Sequence, residues 1–195
     1  MEGELTATER ERQILMERLP FINRIGDGIL KDLVIEVWAR LWRESPYGDI
    51  SDVPNFTREL SRGDETLVQH TNTMVRMSLA MAQELEQAYG ISLNHDNLLA
   101  GAILHDVDKL VLYGRQGDSV ELTELGRKVT HGEYGAGVAR QVGLPEPVVN
   151  IIASHSPVKK AALPATIEAV IVSSCDKAIF QSYRLMTGEG LWPEQ

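Results

Sequence analysis

The chain has 195 residues, 43% of them apolar and 24% charged, with a formal net charge of −9. That length suits one domain with a substantial core, and an acidic chain without a compensating Lys/Arg run is a poor partner for a nucleic-acid duplex. No apolar stretch approaches the roughly 18–20 residues of a membrane span, the acidic first segment is unlike a secretory signal, and the single cysteine, Cys175, allows no internal disulfide, so a cytoplasmic protein is expected.

In chain order the pattern is helical almost throughout. Thr6 with Glu9, or Thr8 with Glu11, can form a capping box ahead of RERQILMERLP, which Pro20 ends. After Gly28, the run ILKDLVIEVWARLWRES places Leu30, Leu33, Val34, Val37, Trp38 and Leu41 at helical spacing. Trp38 and Trp42, at i and i+4, are expected to pin that helix to the body. PYGDISDVPNFTR reads as a connector, dividing the N-terminal helices and connector, residues 1–62, from a body over 63–195. A long helix is predicted from Asp64, its cap, to Tyr89, stopped by Gly90. Its stripe of Leu67, His70, Met74, Met77, Met81 and Leu85 faces the core. Asn94 to Leu112 reads as the next helix. Residues 113–129, with three glycines, read as looser and carry no hairpin signal. Shorter helices follow over 131–142 and 145–155, the latter with Pro145 near its first turn. A last helix runs from near Pro164 to about Met186, and TGEGLWPEQ is a frayed tail. The fold class is an all-α bundle.

Four of the five histidines form a spaced series with two aspartates: His70, His105-Asp106, His131, His155 and Asp176. Imidazole and carboxylate suit first-row divalent metals, and six such groups can hold two ions. His105 and Asp106 interrupt the apolar run LLAGAILHDVDKLVLY, and Asp176 interrupts ATIEAVIVSSCDKAIF. A buried carboxylate is very costly unless it is paired or coordinates a metal, so the core requires a counter-charge. Successive helical residues point about 100° apart, yet Asp106 has two oxygens and can serve two ions. His95 falls outside the spacing and is expected to solvate a helix start. Cys175 and the Met74, Met77, Met81 stripe are expected in core packing.

The series His…His-Asp…His…His…Asp, with Lys109 three residues after Asp106, resembles the HD-domain superfamily of metal-dependent phosphohydrolases over residues 64–183. THGEYGAGVARQVGLPEPVVNIIASHSP, residues 130–157, resembles the stretch that supplies second-metal ligands in the binuclear branch. The resemblance implies a helical HD bundle with an N-terminal extension and two divalent ions, iron or manganese favoured. It assigns His70, His105, Asp106 and Asp176 to one ion, and His131 and His155 to the other, with Asp106 bridging. It implies a metal-bridging hydroxide attacking a phosphomonoester, phosphodiester or nucleotide pyrophosphate, with Lys109 next to Asp106 as a catalytic charge stabiliser. Arg115, Lys159 and Lys160 are secondary candidates for phosphate contacts. The implied partner is a small phosphorylated molecule, nucleotide-like, with no membrane and no nucleic-acid duplex.

The chain departs from that pattern in three places. Asp108 stands where the family often has Gly, and is expected either to repel phosphate or to hold Lys109. SPVKKAALP after His155 lacks the GYP loop of cyclic-dinucleotide phosphodiesterases. Residues 56–69 contain no Tyr of the kind that precedes the first His in diiron oxygenases, although Asp64 or Glu65 can supply the acidic group. Two alternatives stand beside hydrolysis. One is a diiron oxygenase cleaving a C–C or C–P bond. The other is a regulator with a structural metal clip, its first 45 residues with Trp38 and Trp42 serving as a partner or homodimer face. Substrate choice is expected to reside in loops 44–63 and 113–129.

Overall fold

The computed structural model describes residues 6–57, 59, 60, 63–156 and 162–192. Helix α1 (Glu9–Arg18) starts at the Thr8/Glu11 capping box, and α2 (Gly28–Glu44) at Asp27, whose carboxylate accepts from the Ile29 and Leu30 N–H groups. The body comprises α3 (Leu67–Tyr89), α4 (His95–Leu104), α5 (Lys109–Leu112), the strands β1 (Tyr113–Gln116) and β2 (Ser119–Leu122), α6 (Glu133–Val142), α7 (Glu146–Ser154) and α8 (Ile167–Met186). Every residue of α4 from Leu98 to Leu104 is buried, as expected of a helix apolar on all sides. It is the hub of the bundle, with α2, α3, α7 and α8 packed around it. Gly101 permits a close approach of α7: a Cβ there would lie 2.6 Å from the Ile151 side chain.

The N-terminal helices share this core. Trp38 is fully buried, and its indole N–H donates to the Ile103 carbonyl of α4 at 3.2 Å. It therefore pins α2 to the body and has no face to offer a partner. Met74 is in the core and Met81 packs partly against it, but Met77 is 39% exposed, so the methionine stripe straddles the edge of the buried face. Among the described residues no helix is long and apolar enough to cross a membrane.

Four local features differ from the pattern-based reading. First, α3 is capped by Thr66 and Gln69, not by Asp64. Residues 53–55 pair with 65–67 through Asn55 N–H to Glu65 O and Leu67 N–H to Val53 O, which holds Asp64 and Glu65 extended. Second, the predicted helix 94–112 is interrupted after Leu104. Bonds from Val107 to Leu104 and from Lys109 to Asp106 tighten this turn to i→i+3 spacing, so His105 and Asp106 lie in the break between α4 and α5. Third, residues 113–122 form an antiparallel hairpin turning at Gly117-Asp118, a small exception within a helical fold. Fourth, the tail is held down at least as far as Trp192, whose backbone is bonded to Gln181 of α8.

Candidate metal centre

All six side chains of the His/Asp series converge. His70 comes from the second turn of α3, His105 and Asp106 from the α4–α5 break, His131 from the turn before α6, His155 from the end of α7 and Asp176 from the middle of α8. Ligand atoms of His70, His105, Asp106 and Asp176 lie within 4.8 Å of one another, and so do those of Asp106, His131 and His155. Asp106 joins the two groups. Its Oδ2 is 3.3 Å from His70 Nε2 and 3.2 Å from His105 Nε2, while Oδ1 is 2.7 Å from His131 Nε2 and 3.3 Å from His155 Nε2. Asp176 Oδ1 is 3.2 Å from His70 Nε2.

The tautomers follow from what lies behind each ring. His105 Nδ1 is 2.8 Å from the Ala102 carbonyl, and His155 Nδ1 is 2.7 Å from the Ile152 carbonyl. A carbonyl can only accept, so each Nδ1 carries the proton and each Nε2 presents a lone pair inward. Those inward nitrogens lie close to other acceptors: His70 and His105 Nε2 are 3.1 Å apart, and His131 and His155 Nε2 are 3.2 Å apart. Converging lone pairs and carboxylates are mutually repulsive unless positive charge sits among them, and the donor set is one that first-row divalent metals accept. The residues therefore fit a metal.

Titration behaviour carries the same sign. Burial would lower His131, but the Asp108 and Asp106 carboxylates outweigh it and hold the imidazole at about 10. For His70, too, burial is outweighed, here by Asp106, Asp176 and Glu65, and the group is raised well above the usual histidine range. Burial would raise Asp176, yet the bond from His70 brings it down to about 2. His105, dominated by burial, is lowered and stays neutral.

Behind the ligands lies a second layer that the sequence reading assigned incompletely. Asp108 neither faces the phosphate side nor holds Lys109. Its Oδ1 accepts from His131 Nδ1 at 2.7 Å, and its Oδ2 accepts from the Gly132 and Gly135 N–H groups at 2.8 and 3.2 Å. Asp108 thus orients His131 as carboxylates orient metal-bound histidines elsewhere. Asn55, from the connector, is fully buried. Its amide N–H donates to Glu65 Oε2 at 2.9 Å, and its Oδ1 accepts from Lys109 Nζ at 2.9 Å. Glu65 Oε2 lies 3.5 Å from His70 Nδ1, and Lys109 Nζ is 2.6 Å from Asp106 Oδ2. A chain of contacts therefore runs from one histidine to the central aspartate through Glu65, Asn55 and Lys109. Asp108 had a legible signal, because the desolvation that demands a partner for Asp106 applies equally to a second carboxylate two residues on. Asn55 had none in its own sequence neighbourhood.

Lys109 is 5% exposed. Burial works against its charge, but Asp106 prevails and raises its pKa. Its ammonium lies 5.5 and 5.8 Å from the ring centres of Phe56 and Tyr113. Arg115 is exposed on β1 and does not border the cavity above the site. Lys159 and Lys160 lie outside the described residues. His95 opens α4 at the surface and bonds Glu86.

The HD domain family matches residues 67–179, a span that contains all six converging side chains. A dihydroneopterin 2',3'-cyclic phosphate phosphodiesterase of Methanocaldococcus jannaschii is 33% identical over 112 residues, 57% of this chain and 45% of that protein. The match thus spans less than half the length of the relative. No solved structure matches the chain.

Proposed function

We propose that this chain, which belongs to the HD-domain family, is a metal-dependent phosphohydrolase, and more narrowly a phosphodiesterase for a small phosphoester. The carrying observation is Asp106, whose two oxygens each face a separate cluster of histidine nitrogens at the floor of a cavity. His70, His105, Asp106 and Asp176 would hold one divalent ion, and Asp106, His131 and His155 a second, with iron or manganese the favoured metals. Such ions supply Lewis acidity and an ionised water near neutral pH.

The chain's own groups do the rest. Asp108, Ala102 O and Ile152 O hold three imidazoles with their Nε2 atoms turned inward. Lys109, anchored by Asp106 and Asn55, also lines the cavity, where its remaining N–H would take up negative charge on phosphoryl oxygens. In the overall reaction water oxygen bonds to phosphorus, one ester P–O bond breaks, and the departing oxygen gains a proton. A cyclic 2',3'-phosphate, the substrate class in the name of the Methanocaldococcus relative, is the first to assay.

The test is anaerobic incubation of Mn²⁺- or Fe²⁺-loaded protein with adenosine 2',3'-cyclic phosphate and a phosphomonoester panel, followed by ³¹P NMR. Conversion of the cyclic diester to a monoester, with ¹⁸O from labelled water in the phosphate, is expected. Turnover that requires oxygen, with no phosphoester cleaved, would establish the oxygenase alternative instead.

A further inference from the structure

The cavity above Asp106 has a volume of about 510 Å³ and also reaches Lys109, His131 and Asp176. That size holds one small molecule and excludes a folded polymer. Away from the histidines its lining combines aliphatic Leu60, Leu112, Leu122 and Val129 with an aromatic cluster. Phe56 and Phe180 have ring centres 5.4 Å apart, and Phe180 and Trp192 6.3 Å.

Trp192 is not there by the drift of a loose tail. Beyond α8 the backbone turns back through Gly188 and Gly190, at φ +77° and +72°, values that favour glycine. The Gln181 side-chain amide then brackets Trp192, donating to its carbonyl at 2.9 Å and accepting from its N–H at 2.8 Å. The Arg184 guanidinium lies 4.9 Å from the indole centre and donates to the Gly190 and Leu60 carbonyls. Gln181 and Arg184 of α8 are thus committed to holding one ring at the rim. Aliphatic side chains would line a greasy hole without this bracing; large flat faces gain most from another flat, polarisable face.

Resting on the phosphodiesterase reading, we propose that Phe56, Phe180 and Trp192 form a stacking subsite for a planar heteroaromatic ring carried by the phosphoester. The ring lies against the aromatic wall while its phosphate reaches Lys109 and the histidine cluster. Stacking engages the flat face of a ring rather than its edge, so both purine and pyrimidine rings fit the same wall.

The test uses binding as well as turnover. Of the three tryptophans, Trp38 is fully buried and Trp42 lies on α2, so Trp192 is the reporter at the cavity. Adenosine 2'-monophosphate is expected to quench tryptophan emission of both metal-loaded and EDTA-treated protein, and glycerol 2-phosphate is not. Trp192→Phe removes the quenching. Trp192→Leu and, separately, Phe180→Leu weaken nucleotide binding roughly 5- to 150-fold, the range for loss of a base-stacking partner. The kcat/KM preference for adenosine 2',3'-cyclic phosphate over glycerol 1,2-cyclic phosphate narrows toward unity in both leucine variants. Equal binding of the two monophosphates, or undiminished nucleotide binding in both leucine variants, would overturn the subsite. If the nucleotide stacks on Trp192 but no phosphoester is cut, the subsite stands and the phosphodiesterase reading falls. If both cyclic esters are cut with equal efficiency, the reverse holds.

Discussion

The two halves of the His/Asp cluster are built differently. His70 and Asp176 project from the interiors of the two longest helices, α3 and α8, and their positions follow from the packing of whole helices. His131 and His155 sit at helix ends, and His131, 21% exposed at its side chain, is aimed by the Asp108 carboxylate and the turn before α6. His70 and Asp176 are placed by helix packing; His131 and His155 depend in addition on a few polar contacts. Asp106 belongs to both, so the halves should be separable by mutation everywhere except at that residue.

The largest effect is therefore expected at Asp106. Asp106→Ala should abolish retention of metal in both halves and remove activity, as read by metal analysis after gel filtration; a metal-replete, active variant would contradict the shared role. Asp108→Ala should be selective. Loss of a carboxylate behind a metal-bound histidine weakens metal binding by about 10- to 100-fold, so one equivalent in a Mn²⁺ titration should weaken while the other persists. Equal weakening of both would mean that the halves are not independent.

Lys109→Met should leave metal content near wild type and lower kcat about 10²- to 10³-fold, the cost of removing one charge stabiliser. Asn55→Ala, which frees Lys109 and Glu65 from their common partner, should cause a smaller loss in kcat with the same metal stoichiometry.

A pH experiment isolates the polar half. In metal-free protein His131 is raised from 6.5 to about 10 by neighbouring carboxylates after burial has been overcome. A raised histidine contributes stability in full below its unfolded value and loses it as pH rises through the folded one. The melting temperature of the EDTA-treated protein should thus fall between about pH 6.5 and 10, and His131→Asn should flatten that fall. The smallest effect belongs at the surface. The Arg43 guanidinium bonded to Glu11, working against partial burial, holds that carboxyl at about 2. Its contribution, within the 0–1 kcal/mol typical of exposed pairs, is present above about pH 4.5 and lost as pH falls through 2. Acid melts of Glu11→Gln against wild type measure it.

The first half was also the more legible one. His105, Asp106 and Asp176 stand out because an ionisable group in an apolar helix needs an explanation within its own sequence window, and His70 lies on the core stripe of a strongly periodic helix. The helices α1 and α2 were also readable locally, α1 from a capping box and α2 from the spacing of its apolar residues. The rest depends on partners distant in sequence. Asn55 lies in a Pro/Gly/Asp-rich stretch, and its significance comes from Lys109, 54 positions away. The break after Leu104 has no glycine or proline between Leu104 and Lys109 to mark it, so no local turn signal separates α4 from α5. The cap of α3 moved to Thr66 because the connector pairs with residues 65–67, and Trp192 is held by Gln181 and Arg184 of α8 after a turn that two tail glycines permit.

The contact between Gly101 and Ile151 has a consequence for how this sequence can change over time. Volume at these two positions is shared: a methyl added at 101 would meet Ile151 at 2.6 Å, so it is tolerable only if 151 shrinks. Overfilling would shift α4 against α7, and with them His105 and His155, at about 1–3 kcal/mol of strain. Homologues should therefore show compensated pairs, with alanine at 101 accompanied by valine or alanine at 151, and a reconstructed ancestor that breaks the pairing should lose metal binding before it loses its fold.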